Sequence, residues 1–189
     1  MNIISGTARN LALAGLPDCG IRPTSVRARK ALFDSLGSFA DLTVLDLFSG
    51  SGALALESAS RGAAKIFMVE KDPDHIACIR ENCRRVAASG AQSEMTVMEF
   101  DVLHTGRYLA GLKDKIDIVF ADPPYAESGK FFRTLMADPD FRRFLQGSLL
   151  VWEIPDTPGA MADFMNCENL ENNSFRRFGG TFFLLGRIK

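Results

Sequence analysis

From about Val44 onward, short apolar runs alternate with stretches of helical periodicity, and few architectures accommodate that rhythm. Thr43 to Phe48, Lys65 to Val69, Met95 to Phe100, Ile116 to Ala121 and Leu149 to Trp152 are rich in Val, Ile, Leu and Phe and read as buried strands. Between the second and third, Asp72 precedes Pro73 as an N-cap before a first-turn proline. Ile76, Ile79, Cys83 and Val86 then share one face until Gly90. Gly62 ends another helix, the one carrying Leu54, Leu56 and Ala59. Strands separated by helices call for βαβ units, a parallel sheet and helices on both of its faces. The tail departs from this pattern, because Ser174 to Phe178 and Thr181 to Gly186 are apolar-aromatic runs joined at Gly179-Gly180, a hairpin signal. The expected class is therefore α/β, with a Rossmann-like, mostly parallel sheet that ends on an antiparallel strand.

At 189 residues, 47% of them hydrophobic, the chain can bury one ordinary core. No apolar run reaches the roughly 18 residues of a membrane helix, so no membrane partner is expected. The 22 basic and 23 acidic side chains nearly cancel, which excludes a uniformly basic coat protein. Cys19, Cys78, Cys83 and Cys167 form no Cys-x-x-Cys pair and have no histidine cluster beside them. They read as small core hydrophobes of a reduced, cytoplasmic protein with neither a metal site nor a disulfide scaffold. Leu11 to Leu16 is a six-residue apolar run, short of the roughly 7–15 that a signal-peptide core requires.

Charge is unevenly placed. Residues 1–40 hold Arg9, Arg22, Arg27, Arg29 and Lys30 against Asp18 and Asp34, in a chain of formal charge −1. A basic front on a mildly acidic body fits phosphate contact ahead of a pocket for a cationic ligand, whereas a solvated helix face accounts equally well for Arg27, Arg29 and Lys30. Thr24 or Ser25 can cap a helix through Leu36, which Gly37 closes. The organisation expected is a basic arm and helix over residues 1–38, followed by the sheet domain over 39–189.

The first strand runs directly into a glycine turn and a helix, reading Val44-Leu45-Asp46-Leu47-Phe48-Ser49-Gly50-Ser51-Gly52-Ala53. Gly50 and Gly52 let backbone approach a ligand outside the carboxyl ends of the strands, so Phe48, Ser49, Gly50 and Gly52 are candidate cofactor residues. Glu70 ends the second strand, where a carboxylate can accept from both ribose hydroxyls of an adenosine-containing cofactor or simply cap a helix. Asp101, with Val102 beside it, follows the third strand, where it can accept from an adenine amino group or serve as a turn residue. The turn and Glu70 also satisfy a loose nicotinamide-dinucleotide pattern. Asp46 stands in an apolar strand, and since an unpaired buried carboxylate is costly, it should be held by backbone donors of the glycine loop.

The fourth strand delivers Asp122-Pro123-Pro124-Tyr125 at its carboxyl end. Two prolines remove two N–H donors and fix φ twice, so the Asp122 carboxylate and the Pro123 carbonyl project as acceptors beside an aromatic face. That combination suits the grip of a conjugated exocyclic amine on a flat ring. Two hydrogen bonds would localise the amine lone pair toward a sulfonium methyl group, while Tyr125 stacks on the ring. Asp122, Pro123, Pro124 and Tyr125 are thus the candidate catalytic residues.

With those residues in view, the chain resembles the bacterial 16S rRNA guanine-N2 methyltransferases. The likeness runs through Ile4-Ser5-Gly6, Arg22-Pro23-Thr24, the helix from Val26 to Phe33, the turn from Leu45 to Gly52, Glu70 and Asp122-Pro123-Pro124-Tyr125. It implies S-adenosylmethionine as cofactor and a seven-stranded sheet with a reversed last strand. It also implies 16S rRNA or a small-subunit assembly as partner, with Arg9, Arg22, Thr24, Arg27, Arg29 and Lys30 at the RNA, and a monomer is expected. Relatives usually place an acidic residue where this chain has Lys30. The tetrapeptide is shared by amino methyltransferases of several bases, so methylation of DNA adenine or another exocyclic amine is the alternative. Against it stands the lack of room for a separate target-recognition domain. Glu153, at the end of the fifth strand, either lines the base pocket or belongs to the core.

Overall fold

A computed structural model describes residues 1–16, 25–157, 159–165 and 167–189. Cys19, Arg22, Pro23 and Thr24 lie outside the described residues. Seven strands form one sheet: β1 (Thr43–Asp46), β2 (Lys65–Glu70), β3 (Glu94–Glu99), β4 (Ile118–Ala121), β5 (Leu149–Ile154), β6 (Leu170–Phe178) and β7 (Thr181–Ile188). Their order is β3-β2-β1-β4-β5-β7-β6. The first five are parallel, and β7 runs antiparallel to both β5 and β6. The α/β class and the reversed strand are as expected, with shifted edges. β6 begins at Leu170 rather than near Ser174, because Glu171-Asn172-Asn173 has no apolar run to mark it and its pairing slips at an irregularity before Ser174.

Seven helices are described: α1 (Val26–Leu36), α2 (Ala53–Ser60), α3 (Pro73–Ala88), α4 (Thr105–Leu109), α5 (Ser128–Ala137), α6 (Pro139–Leu145) and α7 (Ala162–Met165). The capping signals act as read: Ser25 Oγ accepts from Ala28 N–H at the start of α1, and Asp72 accepts from Asp74 and His75 N–H ahead of Pro73. None of these helices is long and apolar enough to cross a membrane.

Strand alternation sends two sets of side chains to two cores. On one face Val44, Ile66, Phe120 and Val151 meet Leu32 and Phe33 of α1 and Leu56 of α2. On the other, Leu45, Val119 and Trp152 meet Phe132, Phe141 and Phe164 of α5, α6 and α7. Each fully buried aromatic there contributes about 1.5–3 kcal/mol through area removed from water. The phenylalanines after Tyr125 therefore pack the domain.

The amino-terminal arm shares the first of these cores through Ile3, Ala8 and Leu13. Its backbone is pinned to the end of α2, where Glu57 accepts from Ile4 N–H at 2.7 Å and Ser5 N–H at 3.1 Å and Ser60 Oγ donates to the Ser5 carbonyl. Gly6 explains its own presence: a Cβ there would sit 1.7 Å from the Ser60 carbonyl oxygen.

Candidate active site

The glycine loop is clamped between two strands as it leaves β1. Leu47 N–H donates to the Phe120 carbonyl on β4 at 3.0 Å, and Ser49 N–H donates to the Val69 carbonyl on β2 at 3.1 Å. Ser49 Oγ returns to the Asp46 carbonyl at 2.9 Å. Gly50 and Gly52 have φ of 52° and 81°, in the left-handed region that favours glycine. The loop is therefore a rigid backbone cradle opening at the carboxyl edge of the sheet.

Three carboxylates stand along this edge of the sheet, at or just past the ends of β1, β2 and β3. Asp46 is buried, and the backbone N–H groups that favour its charged form are those of Ala55, in the first turn of α2, and of Phe48, within the loop itself. Burial, reinforced by the charge of Glu70, outweighs those donors and pushes its carboxyl up to about 7. Its Oδ1 has no hydrogen-bond partner among the described residues. Glu70 accepts from Gly50 N–H on Oε2 at 2.9 Å, and from Lys71 and Asp72 N–H on Oε1 at 2.8 and 3.0 Å. His75 places Nδ1 3.5 Å from Glu70 Oε2. Asp101 accepts from Leu103 N–H, capping a short 3-10 turn that starts at buried Val102, and from Lys71 Nζ at 2.9 Å. Burial raises the Asp101 carboxyl, but these two donors prevail and hold it below the ordinary value.

The Phe48 ring packs edge-on against Phe131 and Trp152 at centroid distances of 5.1 and 6.0 Å, so the second core claims much of its aromatic surface.

Across the edge, β4 ends at Ala121 and the chain turns through Asp122-Pro123-Pro124-Tyr125. Asp122 is half-buried, Pro123 is buried, and Tyr125 is 45% exposed. The Tyr125 hydroxyl donates to Glu153 Oε1 at 2.7 Å. Glu153, which the sequence left between pocket and core, is thus tied directly to the candidate catalytic tetrapeptide. Tyr125 also walls a cleft of about 250 Å³ with Gly129, Lys130, Arg133 and Thr157.

The basic front divides. Arg9 and Arg27 are exposed, and Lys30 is exposed but paired with Asp34 one helical turn on. Arg29 is fully buried, so its expected phosphate contact does not fit the structure. It lies on the same helical stripe as Leu32 and Phe33, and its guanidinium donates to the Asn2 carbonyl and to Met1 Sδ. Arg29 fastens the arm. The basic residues after the tetrapeptide are mostly neutralised, Lys130 by Glu127, Arg133 by Asp163 and Arg143 by Asp140.

Sequence reasoning missed Asn82. This fully buried amide accepts from Ala14 N–H at 2.7 Å and donates to the carbonyls of Ala14 at 3.2 Å and Ser51 at 3.0 Å, joining the arm to the glycine loop. Its spacing from Ile79 and Val86, on the apolar face of α3, was the available signal.

The family described as Conserved hypothetical protein 95 matches residues 1–185. The chain belongs to that family. The ribosomal RNA small subunit methyltransferase D of Escherichia coli K12 is 34% identical over 133 residues, covering 66% of this chain and 60% of that protein. The protein of the same name in Haemophilus influenzae is 32% identical over 127 residues, covering 66% and 64%. The matched stretch spans just under two thirds of these relatives. Among solved structures, a hypothetical protein of Thermus thermophilus aligns over 100% of this chain and 99% of its own, with a TM-score of 0.77 and 30% identity. A methyltransferase from Pyrococcus furiosus, 16% identical, shares the fold at a TM-score of 0.64 over 89% and 87% of the two chains. The sheet with its reversed β7 is the class I, Rossmann-like methyltransferase fold.

Proposed function

We propose that the protein transfers a methyl group from S-adenosylmethionine to the exocyclic N2 amine of a guanine in small-subunit (16S) ribosomal RNA. The observation that carries this reading is the Asp122-Pro123-Pro124-Tyr125 corner at the carboxyl end of β4, one strand from a glycine loop hydrogen-bonded to β4 itself. The loop suits the cofactor. Asp46 Oδ1 is a buried acceptor without a partner among the described residues, fit for an ammonium group. Glu70 and Asp101 stand at the ends of β2 and β3, where they would hold ribose hydroxyls and an adenine amine. S-adenosylmethionine, when bound, supplies a methyl group made electrophilic by its sulfonium.

The chain's own residues would then do the positioning. Asp122 and the Pro123 carbonyl accept the two amine protons and localise the nitrogen lone pair, and Tyr125 stacks on the ring. The prolines offer no N–H that would compete for those acceptors. The released proton passes to Asp122 or to water. The guanine must leave its stack to reach the corner. Arg9 and Arg27 contact phosphates, with Lys30 beside them and Arg22 and Thr24 assigned by sequence to the same contact.

The reading is tested by offering purified protein a methyl-labelled donor with small-subunit RNA, a partly assembled small subunit or duplex DNA. Label in N2-methylguanosine from the RNA or the particle supports it. Label in adenine, preference for DNA, or no transfer contradicts it.

A further inference from the structure

We propose that Glu153 selects guanine by accepting the base N1–H while Asp122 accepts the adjacent N2 amine, an inference that rests on the methyl-transfer reading above. Ala121 and Trp152 are the last residues paired between β4 and β5, so Asp122 and Glu153 follow next to each other where the two strands open at the carboxyl edge. Glu153 is 2% exposed, and Tyr125, a member of the candidate catalytic corner, donates to its Oε1. A carboxylate at that depth requires donors in every state of the site.

Guanine presents two neighbouring donors on its Watson–Crick edge, N1–H and the N2 amine. Adenine presents an amine beside N1 as an acceptor. Two neighbouring carboxylates match the first pattern and oppose an acceptor lone pair in the second. In the base-free protein the Tyr125 hydroxyl occupies the donor position on Glu153. When the base enters, the phenol ring turns to stack on it, and the N1–H replaces the hydroxyl on Oε1. Pairing on Glu153 is thereby conserved through the exchange. A site built to receive a particular N–H rejects the analogue lacking it far more strongly than a purely apolar pocket does.

The test replaces the target guanine by 2-aminopurine, which keeps the 2-amino group but has N1 as an acceptor. The wild-type protein should prefer guanine by about 100-fold or more in kcat/KM. Glu153→Gln, whose amide can donate to that acceptor, should lose at least about tenfold on guanine and bring the ratio to within about tenfold, with cofactor affinity and Tm near wild type. Equal use of the two bases by the wild-type protein overturns the role of Glu153 while leaving methyl transfer standing, and this comparison needs no variant to fold. An unchanged ratio in Glu153→Gln overturns it as well. Failure to methylate guanine at all overturns both the selection and the reaction beneath it.

Discussion

At the end of β2, Glu70 accepts three main-chain N–H groups; at the end of β5, Glu153 takes a phenol, and neighbouring Asp122 precedes two prolines with no N–H to give. The two halves of the sheet edge thus treat their carboxylates differently. At the end of β2 main-chain donors hold both oxygens of Glu70 in place, which suits a fixed point of attachment. Around β4 and β5 the prolines supply no backbone donor, and a side-chain hydroxyl stands on Glu153, which, as proposed above, an arriving base replaces. Pre-organised backbone can hold a cofactor, whereas a corner rich in acceptors is needed to draw electron density onto an amine.

The sharpest break of this contrast is Asp122→Ala. It should lower kcat by about 10²–10⁴-fold with cofactor affinity changed no more than about twofold, because the side chain acts on the amine alone. Calorimetry beside single-turnover kinetics separates the two, and a parallel loss of cofactor binding would place Asp122 in the wrong half.

Asp46 is the exception within the cofactor half, since one of its oxygens lacks a partner among the described residues. With its carboxyl raised from the ordinary 3.8 to about 7, the folded state holds the proton more tightly than the unfolded chain. Stability is therefore lost as pH rises from about 4 to about 7, and the full cost is present above that window. Asp46→Asn should stabilise the protein at pH 8 by on the order of 4 kcal/mol, with the gain vanishing near pH 4, while cofactor affinity falls. Thermal melts across pH check this, and a gain independent of pH would contradict the assignment.

Glu70→Ala reverses the pattern of Asp122→Ala. Cofactor binding should weaken by about 1.5–3 kcal/mol, with kcat at saturating cofactor less affected. Equilibrium titration measures it, and unaltered affinity would remove Glu70 from the cofactor half. The smallest effect belongs to Arg27→Ala, which should lower the slope of log affinity for RNA against log salt by about 1 and leave Tm unchanged. Arg29→Ala should instead loosen the arm, lowering Tm with little change in that slope.

That last pair shows where the sequence is legible and where it is silent. Charge alone does not distinguish Arg27 from Arg29; only the phase of the helix, with Leu32 and Phe33 three and four residues on, buries one and frees the other. The strands and the Gly179-Gly180 hairpin were readable because apolar residues marked them, and the polar start of β6 was hidden for want of such marks. The candidate catalytic corner declared itself through two consecutive prolines. Its link to Glu153 did not, because the partners are 28 residues apart and meet only once β4 and β5 are in register. Phe48 sat in the expected motif, but competition for a buried aromatic surface decided its contacts.

The most direct measurement is nucleoside mass mapping of small-subunit RNA taken from cells lacking this protein and then treated with purified wild-type or Asp122→Ala enzyme and S-adenosylmethionine. The account predicts one new methyl group on the N2 of a single guanine with the wild-type protein and none with the variant. Methylation of another base, or equal methylation by both proteins, would contradict it.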